Sequence, residues 1–257
     1  MINKQALQVI SQPNRLISKI FLKASRLARQ ASESLERAGH NAYPYKSLND
    51  LDKQIASIAP ELLNSKTFFI EAGANDGIKQ SNTFFLESLY GSHGLLIEPS
   101  PSNFEKCMKN RSNGNIYENV AITEHANAGK LIEFVYSDLM TTGLNSLDVD
   151  PVDHAKSGLQ FFDGINYRFY AKGCTIDYLM QKHSIQRVEL LSLDLEGAEL
   201  EALKGAMLEK NLISYILVET RNLQAIQGFL STKSYTLLAK LTASNAPSHD
   251  YLFKKII

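Results

Sequence analysis

Little in this 257-residue chain is in excess, and each shortage excludes something. There are only two cysteines, Cys107 and Cys174. Two are too few for a disulfide framework and fit a reducing compartment, so a cytoplasmic location is expected. No C-x-x-C or H-E-x-x-H spacing occurs, which argues against structural zinc and zincin chemistry. Lysine plus arginine equals aspartate plus glutamate at 27 each. Overall charge therefore argues neither for nor against nucleic acid, and no nucleic-acid partner is expected. No apolar run approaches the ~20 residues that a membrane-spanning helix needs. The N-terminus lacks an uninterrupted apolar core followed by a small-residue cleavage site, so no signal peptide is expected.

What is present suits one large α/β domain with an appendage. Residues 1–60 read as an N-terminal helical extension and 61–257 as the main domain. Within the extension Leu16, Ile17, Ile20, Phe21, Ala24, Leu27, Ala28 and Ala31 recur at helical spacing, with Arg15, Lys19, Lys23, Arg26 and Arg29 between them and no acid before Glu33. A basic amphipathic helix over residues 13–32 has two readings: it packs on its own domain, or it lies peripherally on an anionic membrane or a partner. After Gly39 and Pro44 a second helix is expected from about Leu48 to Ile58.

The main domain is organised around Phe68-Phe69-Ile70-Glu71-Ala72-Gly73-Ala74-Asn75-Asp76-Gly77. Its apolar run predicts a strand, Thr67–Glu71, buried on both faces of a parallel sheet. An acid ends the strand, a small-residue loop follows, and Ile78–Tyr90 has helical apolar spacing. Glycine lets the backbone come close to a ligand, and a helix start favours negative charge. A dinucleotide fold wants G-x-G-x-x-G for a pyrophosphate. Here the order is Glu-x-Gly-x-Asn-x-Gly, and Glu71 would repel a pyrophosphate while accepting hydrogen bonds from the amino group of a methionine moiety. This resembles motif I of class I S-adenosylmethionine (SAM) methyltransferases, with Asn75 in place of the middle glycine.

Further strands are predicted at Gly94–Glu98, Ile116–Ile122, Leu190–Asp194 and Tyr215–Glu219, separated by helices at Pro101–Asn110, Thr175–His183 and Gly197–Lys210. That alternation predicts a doubly wound, mostly parallel sheet. Tyr235–Leu241 and Tyr251–Ile257, with no helix between them, predict an antiparallel pair at one edge. Residues 129–173 break the pattern. Lys130–Tyr136 and Asn166–Lys172 read as strands around a polar segment with Asp148, Asp150, Pro151 and Asp153, an insertion too long for an ordinary connection. It either shapes a substrate site or decorates the fold.

Three further constellations bear on chemistry. Glu98 ends the second strand, where one carboxylate can accept from both ribose hydroxyls of a nucleoside; Pro99-Ser100-Pro101 then turns the chain into a helix. Asn119-Val120-Ala121 should lie beside an adenine, Asn119 or the backbone reading its edge and Val120 and Ala121 touching its face. Asp194-Leu195-Glu196-Gly197-Ala198-Glu199 follows the fourth strand, where substrates meet cofactors in open α/β sheets. Asp194 and Glu196, two apart, point to one side of the strand end. They either cap the next helix or serve an acceptor hydroxyl, as base or by holding a divalent cation; no metal ligands are assigned. Glu199 and Glu201 read as helix-start and solvated-face residues. Ser81, Asn82 and Thr83 either bind a cofactor carboxylate or cap the first helix. Glu219 could assist a base or pair with Arg221. His249 reads as a turn residue ahead of the last strand.

Taken together, Glu71–Gly77, Ser81-Asn82-Thr83, Ile97–Pro101, Gly143–Leu147, Thr175-Ile176-Asp177 and Asp194–Glu199 with Lys204-Gly205 resemble the FkbM family of methyltransferases over residues 67–257. The resemblance implies a seven-stranded class I methyltransferase (Rossmann-like) domain with an antiparallel edge. It also implies SAM as cofactor and methyl transfer to a hydroxyl of a sugar, glycolipid or natural product. By this reading Asp194, Glu196 and Glu219 are the catalytic candidates. Glu71, Gly73, Asn75, Asp76, Gly77, Ser81, Asn82, Glu98, Pro99, Ser100, Asn119, Val120, Ala121 and Asp194 are the cofactor candidates. The partner is a small-molecule or glycan acceptor, and the sequence does not define the oligomeric state. A short dehydrogenase would need a G-x-G-x-x-G pyrophosphate loop, which is absent. A base-directed N-methyltransferase would carry Asn/Asp-Pro-Pro-aromatic after the fourth strand, also absent. The remaining alternative is a non-catalytic binding protein of the same fold that works through its basic helix.

Overall fold

Phe69, Ile70 and Ala72 leave almost no surface to solvent on either face of their strand, and the larger sheet is built outward from it. The computed structural model describes residues 43–136, 141–143, 167–210, 212–242 and 248–256, with isolated positions 23, 27 and 39 upstream. The strands are β1 (Phe68–Ala72), β2 (His93–Ile97), β3 (Ile116–Glu118), β4 (Ala121–Ile122), β5 (Leu131–Val135), β6 (Thr142–Gly143), β7 (Arg168–Cys174), β8 (Arg187–Leu193), β9 (Leu212–Thr220), β10 (Tyr235–Lys240) and β11 (His249–Lys255). The α-helices are α1 (Leu51–Ile58), α2 (Phe84–Tyr90), α3 (Pro101–Asn110), α4 (Ile176–Lys182), α5 (Glu199–Lys204) and α6 (Leu223–Ser231).

Seven strands form the main sheet in the order β10-β11-β9-β8-β1-β2-β3. β1 pairs in parallel with β2 and β8, β8 with β9, and β2 with β3. β11 runs antiparallel to both β9 and β10, which is the expected edge. One face buries Ile70, Leu95, Leu191 and Ile216 against Ile176, Leu179, Leu203, Ile226 and Leu230 of α4, α5 and α6. The other buries Phe69, Leu96, Leu190 and Leu217 against Leu51, Ile55, Phe85, Leu86 and Cys107 of α1, α2 and α3. Burying each such side chain is worth about 1.5–3 kcal/mol, so helices must cover both faces.

Several boundaries differ from expectation, each for a physical reason. The chain divides into two compact units, Met1–Tyr43 and Pro44–Ile257. Helix α1, expected in the extension, belongs to the second unit because Leu51 and Ile55 pack with Phe69 and Phe85. The basic helix expected over residues 13–32 lies outside the described residues except at Lys23 and Leu27, as does the segment with Asp148, Asp150, Pro151 and Asp153. The strand expected over Ile116–Ile122 is split. β3 pairs with β2, whereas β4 pairs with β7 in a second, four-stranded sheet of order β4-β7-β5-β6. The insertion's two strands form the antiparallel β5–β7 pair at the centre of that sheet. Helix α6 follows no predicted signal, yet its logic is simple. Leu223, Ile226 and Leu230 share one face, and Asn222 Oδ1 accepts from the Ala225 N–H at 3.1 Å as N-cap.

Candidate active site

The loop after β1 is shaped by one buried carboxylate. Glu71 Oε1 accepts from the Asn82 N–H at 2.8 Å. Its Oε2 accepts from Ser81 Oγ at 2.9 Å, Thr83 Oγ1 at 2.6 Å and Arg111 Nη1 at 3.2 Å. Those bonds hold residues 78–83 in an irregular loop, with Gln80 at φ 54°, so the helix expected from Ile78 begins only at Phe84. Arg111 is fully buried and also reaches Glu87 Oε2 from Nε at 2.8 Å, Gly77 O, Ser81 Oγ and Thr83 Oγ1. Burial disfavours its charge, but Glu87 and Glu71 outweigh that and raise its pKa. Nothing in the sequence around Arg111 announces this role.

Gly73 sits at φ 88°, and a Cβ there would lie 1.9 Å from the Asp194 carbonyl oxygen. Only glycine meets both conditions. Gly77 backs onto Arg111 and Cys107. Asp76 Oδ1 accepts from the N–H groups of Ile78 and Lys79 at 2.9 and 2.8 Å. Asp76, Gly77 and Ser81 therefore shape the loop and do not line the cleft it borders, whereas Glu71, Gly73, Asn75 and Asn82 do.

At the end of β2 the Glu98 carboxylate accepts from the Asn75 N–H at 2.9 Å and the Ser100 N–H at 2.8 Å. Glu98 and Pro99 line the cleft; Ser100 is wholly buried behind them. Val120 and Ala121 line it. Asn119 does not. Its exposed amide donates to the carbonyls of Glu98 and Pro99 at 2.8 and 3.0 Å, so it clamps the β2 turn and does not line the cleft.

Across the cleft, acids gather at the ends of β8 and β9 and the start of β11. Asp194 and Glu196 line the main cleft, and Glu196 adopts φ 51° before Gly197 at φ 102°. Both also border a smaller pocket of about 240 Å³ with Glu199, Glu219 and Ser248. Burial raises the Asp194 pKa well above the usual carboxylate range, and the charges of Glu219, Glu196, Glu199 and Asp250 raise it further. Glu219 is also raised, by burial first and then by Asp250 and Glu196, while its hydrogen bond from Ser248 Oγ works the other way. Glu199 is not a plain helix-start residue. Its Oε1 accepts from the N–H groups of Leu195 and Gly197 at 2.9 and 3.1 Å, and burial lifts its pKa to about 7. Glu201, expected on a solvated face, is half-buried, borders the cleft and accepts from Thr123 Oγ1 at 3.3 Å. His249 opens β11, edge-on to Tyr251 and outside the cleft lining.

The main cleft encloses about 1110 Å³, its solvent-open mouth included. The insertion supplies one wall, with Ile132, Phe134, Thr141 and Gly143 facing the cleft. Sequence reasoning placed the insertion but named none of Ile132, Phe134 and Thr141. The cleft has the make-up of a nucleoside site, with one carboxylate beside an apolar slot of Ile97, Pro99, Val120 and Ala121. Asn75 Oδ1 and Asn82 Oδ1 are buried without hydrogen-bond partners among the described residues. Such orphaned acceptors call for a bound donor. No group of three or more His, Cys, Asp or Glu side chains arranged to hold a metal ion occurs among the described residues.

A parallel sheet of this order with an antiparallel edge, and a cleft over the carboxyl ends of its strands, defines a class I, Rossmann-like methyltransferase fold. The chain belongs to the methyltransferase FkbM domain family, which matches residues 71–243, more than half its length. Similar solved structures include methyltransferase FkbM from Methylobacillus flagellatus KT, at 14% identity over 74% of this chain and 44% of that one, with a TM-score of 0.45. A putative rRNA-methylase from Clostridium thermocellum is similar at 13% identity over 82% and 97%, TM-score 0.45. A human methyltransferase 10 domain containing protein matches at 11% identity over 80% and 81%, TM-score 0.46. The aligned region thus spans less than half the length of the Methylobacillus protein. None of the curated proteins matches this chain. No helix among the described residues is long and apolar enough to cross a membrane.

Proposed function

We propose that the chain is a SAM-dependent O-methyltransferase whose acceptor is a hydroxyl of a carbohydrate, free or within a glycolipid or natural product. The observation that carries this is the meeting of two unlike acid sets in one cleft, Glu98 with its apolar slot and the Asp194–Glu196 pair opposite. In this reading Glu98 holds the ribose hydroxyls with Asn75 beside it, Ile97, Pro99, Val120 and Ala121 enclose the adenine, and Gly73 and Asn82 face the amino-acid end. Bound SAM supplies an activated methyl group on a sulfonium. A hydroxyl is a poor nucleophile until a base takes its proton. Asp194, whose proton affinity burial and neighbouring acids raise, is suited to take it, with Glu196 orienting the hydroxyl and Glu219 holding up the Asp194 pKa. The polar floor of Thr123, Asn127 and Glu201 suits neighbouring hydroxyls, and the wall of Ile132 and Phe134 suits the C–H face of a sugar ring. Both cysteines are buried free thiols, which suits the cytoplasm.

The test is transfer of labelled methyl from SAM, by purified protein, into pools of sugar nucleotides, oligosaccharides and glycolipids. Label in a base-stable methyl ether supports the reading. Binding of S-adenosylhomocysteine with no transfer to any pool, or label on nitrogen, overturns it.

A further inference from the structure

Glu71 is the residue whose position suggests a direct contact with the cofactor's amino group, yet its carboxylate is already engaged. Four donors reach it: Ser81 Oγ, Thr83 Oγ1, the Asn82 N–H and Arg111 Nη1. A carboxylate offers about four acceptor sites, so little is left for a ligand. The next residue along the chain of contacts has the opposite problem. Asn82 lines the cleft with 8% of its surface exposed, and its Oδ1 is buried without a partner among the described residues. Its orientation is fixed at two points: the main-chain N–H held by Glu71, and Nδ2 donating to Ser192 Oγ at 3.3 Å. Ser192 is the β8 residue in register with Glu71, so both anchors come from neighbouring strands of the rigid sheet.

We infer that Asn82 Oδ1, and not Glu71, receives the ammonium of the cofactor's amino-acid end, and that Glu71 and Arg111 are positioning residues acting through the 81–83 loop; this rests on the SAM reading above. An ammonium offers three donors and no acceptor. An orphaned amide oxygen is therefore its natural complement, and binding removes the cost of leaving that oxygen unpaired. Asn75 Oδ1 is the other orphan on the cleft, but the Asn75 N–H is tied to Glu98, which places it on the ribose side. Arg111 does not itself line the cleft. It donates to Glu71 and clamps Ser81 and Thr83 on either side of Asn82.

A double-mutant cycle read by calorimetry tests this, with S-adenosylhomocysteine and with 5′-methylthioadenosine, which lacks the amino-acid end. Asn82→Ala should weaken S-adenosylhomocysteine about tenfold while leaving 5′-methylthioadenosine within about twofold. Glu71→Gln should weaken S-adenosylhomocysteine comparably in the wild-type background, yet add less than about twofold once Asn82 is alanine. Asn82→Asp should keep or improve binding, because a carboxylate still accepts from an ammonium. Equal penalties for Glu71→Gln in both backgrounds would mean a direct Glu71 contact and overturn the inference. Loss of binding in Asn82→Asp would overturn it too. Should Glu71→Gln fail to fold, Thr83→Val removes one of the same bonds away from the cleft and takes its place in the cycle. If folded wild-type protein binds neither ligand, the SAM reading itself fails, an outcome distinct from the two above.

Discussion

At the ends of β1 and β2, Glu71 and Glu98 are met by N–H, O–H and guanidinium donors. At the ends of β8 and β9 and the start of β11, burial raises the pKa of Asp194, Glu219 and Asp250; Glu219 and Asp250 add to the rise at Asp194, and Asp250 adds to that at Glu219. Both groups are largely buried, so burial alone does not set them apart. Partners do. Acids given donors spend their charge on shaping a loop, and acids crowded with acids keep an affinity for protons that chemistry can use.

The comparison breaks most sharply at Arg111. Arg111→Met leaves Glu71 and Glu87 buried without their cation, and should lower unfolding free energy by about 3–5 kcal/mol in urea titration. A loss below about 1 kcal/mol would show that the loop does not depend on this charge pair. On the other side, Asp194→Asn and Glu196→Gln should each cut methyl transfer about 10²-fold or more while S-adenosylhomocysteine binding stays within a few-fold. Wild-type turnover should fall on acidification at a pH above the ordinary carboxylate range, since Asp194 must lose its proton to act. Near-normal turnover in both variants would make these acids helix caps.

Glu199 sharpens the contrast through pH. Its pKa is about 7 in the folded protein against 4.5 as reference, so the native state holds the proton more tightly than the unfolded chain. Its contribution to stability is therefore full below about pH 4.5 and lost as pH rises through about 7, with a ceiling of about 3 kcal/mol. Glu199→Gln keeps an oxygen for Leu195 and Gly197 but cannot ionise. Thermal melts of the variant should lose less stability than wild type across that window, and parallel curves would refute the assignment. The smallest effect is expected at Glu98→Ala, which should weaken S-adenosylhomocysteine by about 1–3 kcal/mol in calorimetry. Unchanged affinity would remove Glu98 from the ribose.

The two regions also differ in how far the sequence revealed them. Parallel strands buried on both faces read as unbroken apolar runs, so Phe68–Ile70, Leu95–Ile97 and Leu190–Leu193 and the acids that end them were legible. The loop of residues 78–83 was not. Ile78–Tyr90 has helical spacing, but spacing carries no information about a carboxylate that captures Ser81, Asn82 and Thr83 from another element. Arg111 is distant in sequence from Glu71, and no local pattern marks a cation that will be buried. Asn119 sits beside the cleft-lining Val120 and Ala121 in sequence while its amide turns to the Glu98 and Pro99 carbonyls. Ile132 and Phe134 entered the cleft through an insertion whose place in space depends on long-range pairing.

The contact between Gly73 and the Asp194 carbonyl has a consequence for redesign. The two backbones touch where one strand leads to the donor side and the other to the acceptor side, and the Asp194 N–H also donates to Ala72 O at 3.1 Å. In the proposed reaction that contact works like the fixed jaw of a gauge, setting the gap across which the methyl group would pass. Any side chain at position 73 widens the gap and misaligns both halves together. New acceptors are therefore better sought by resurfacing Ile132, Phe134 and Thr141, which can change shape without moving the jaw.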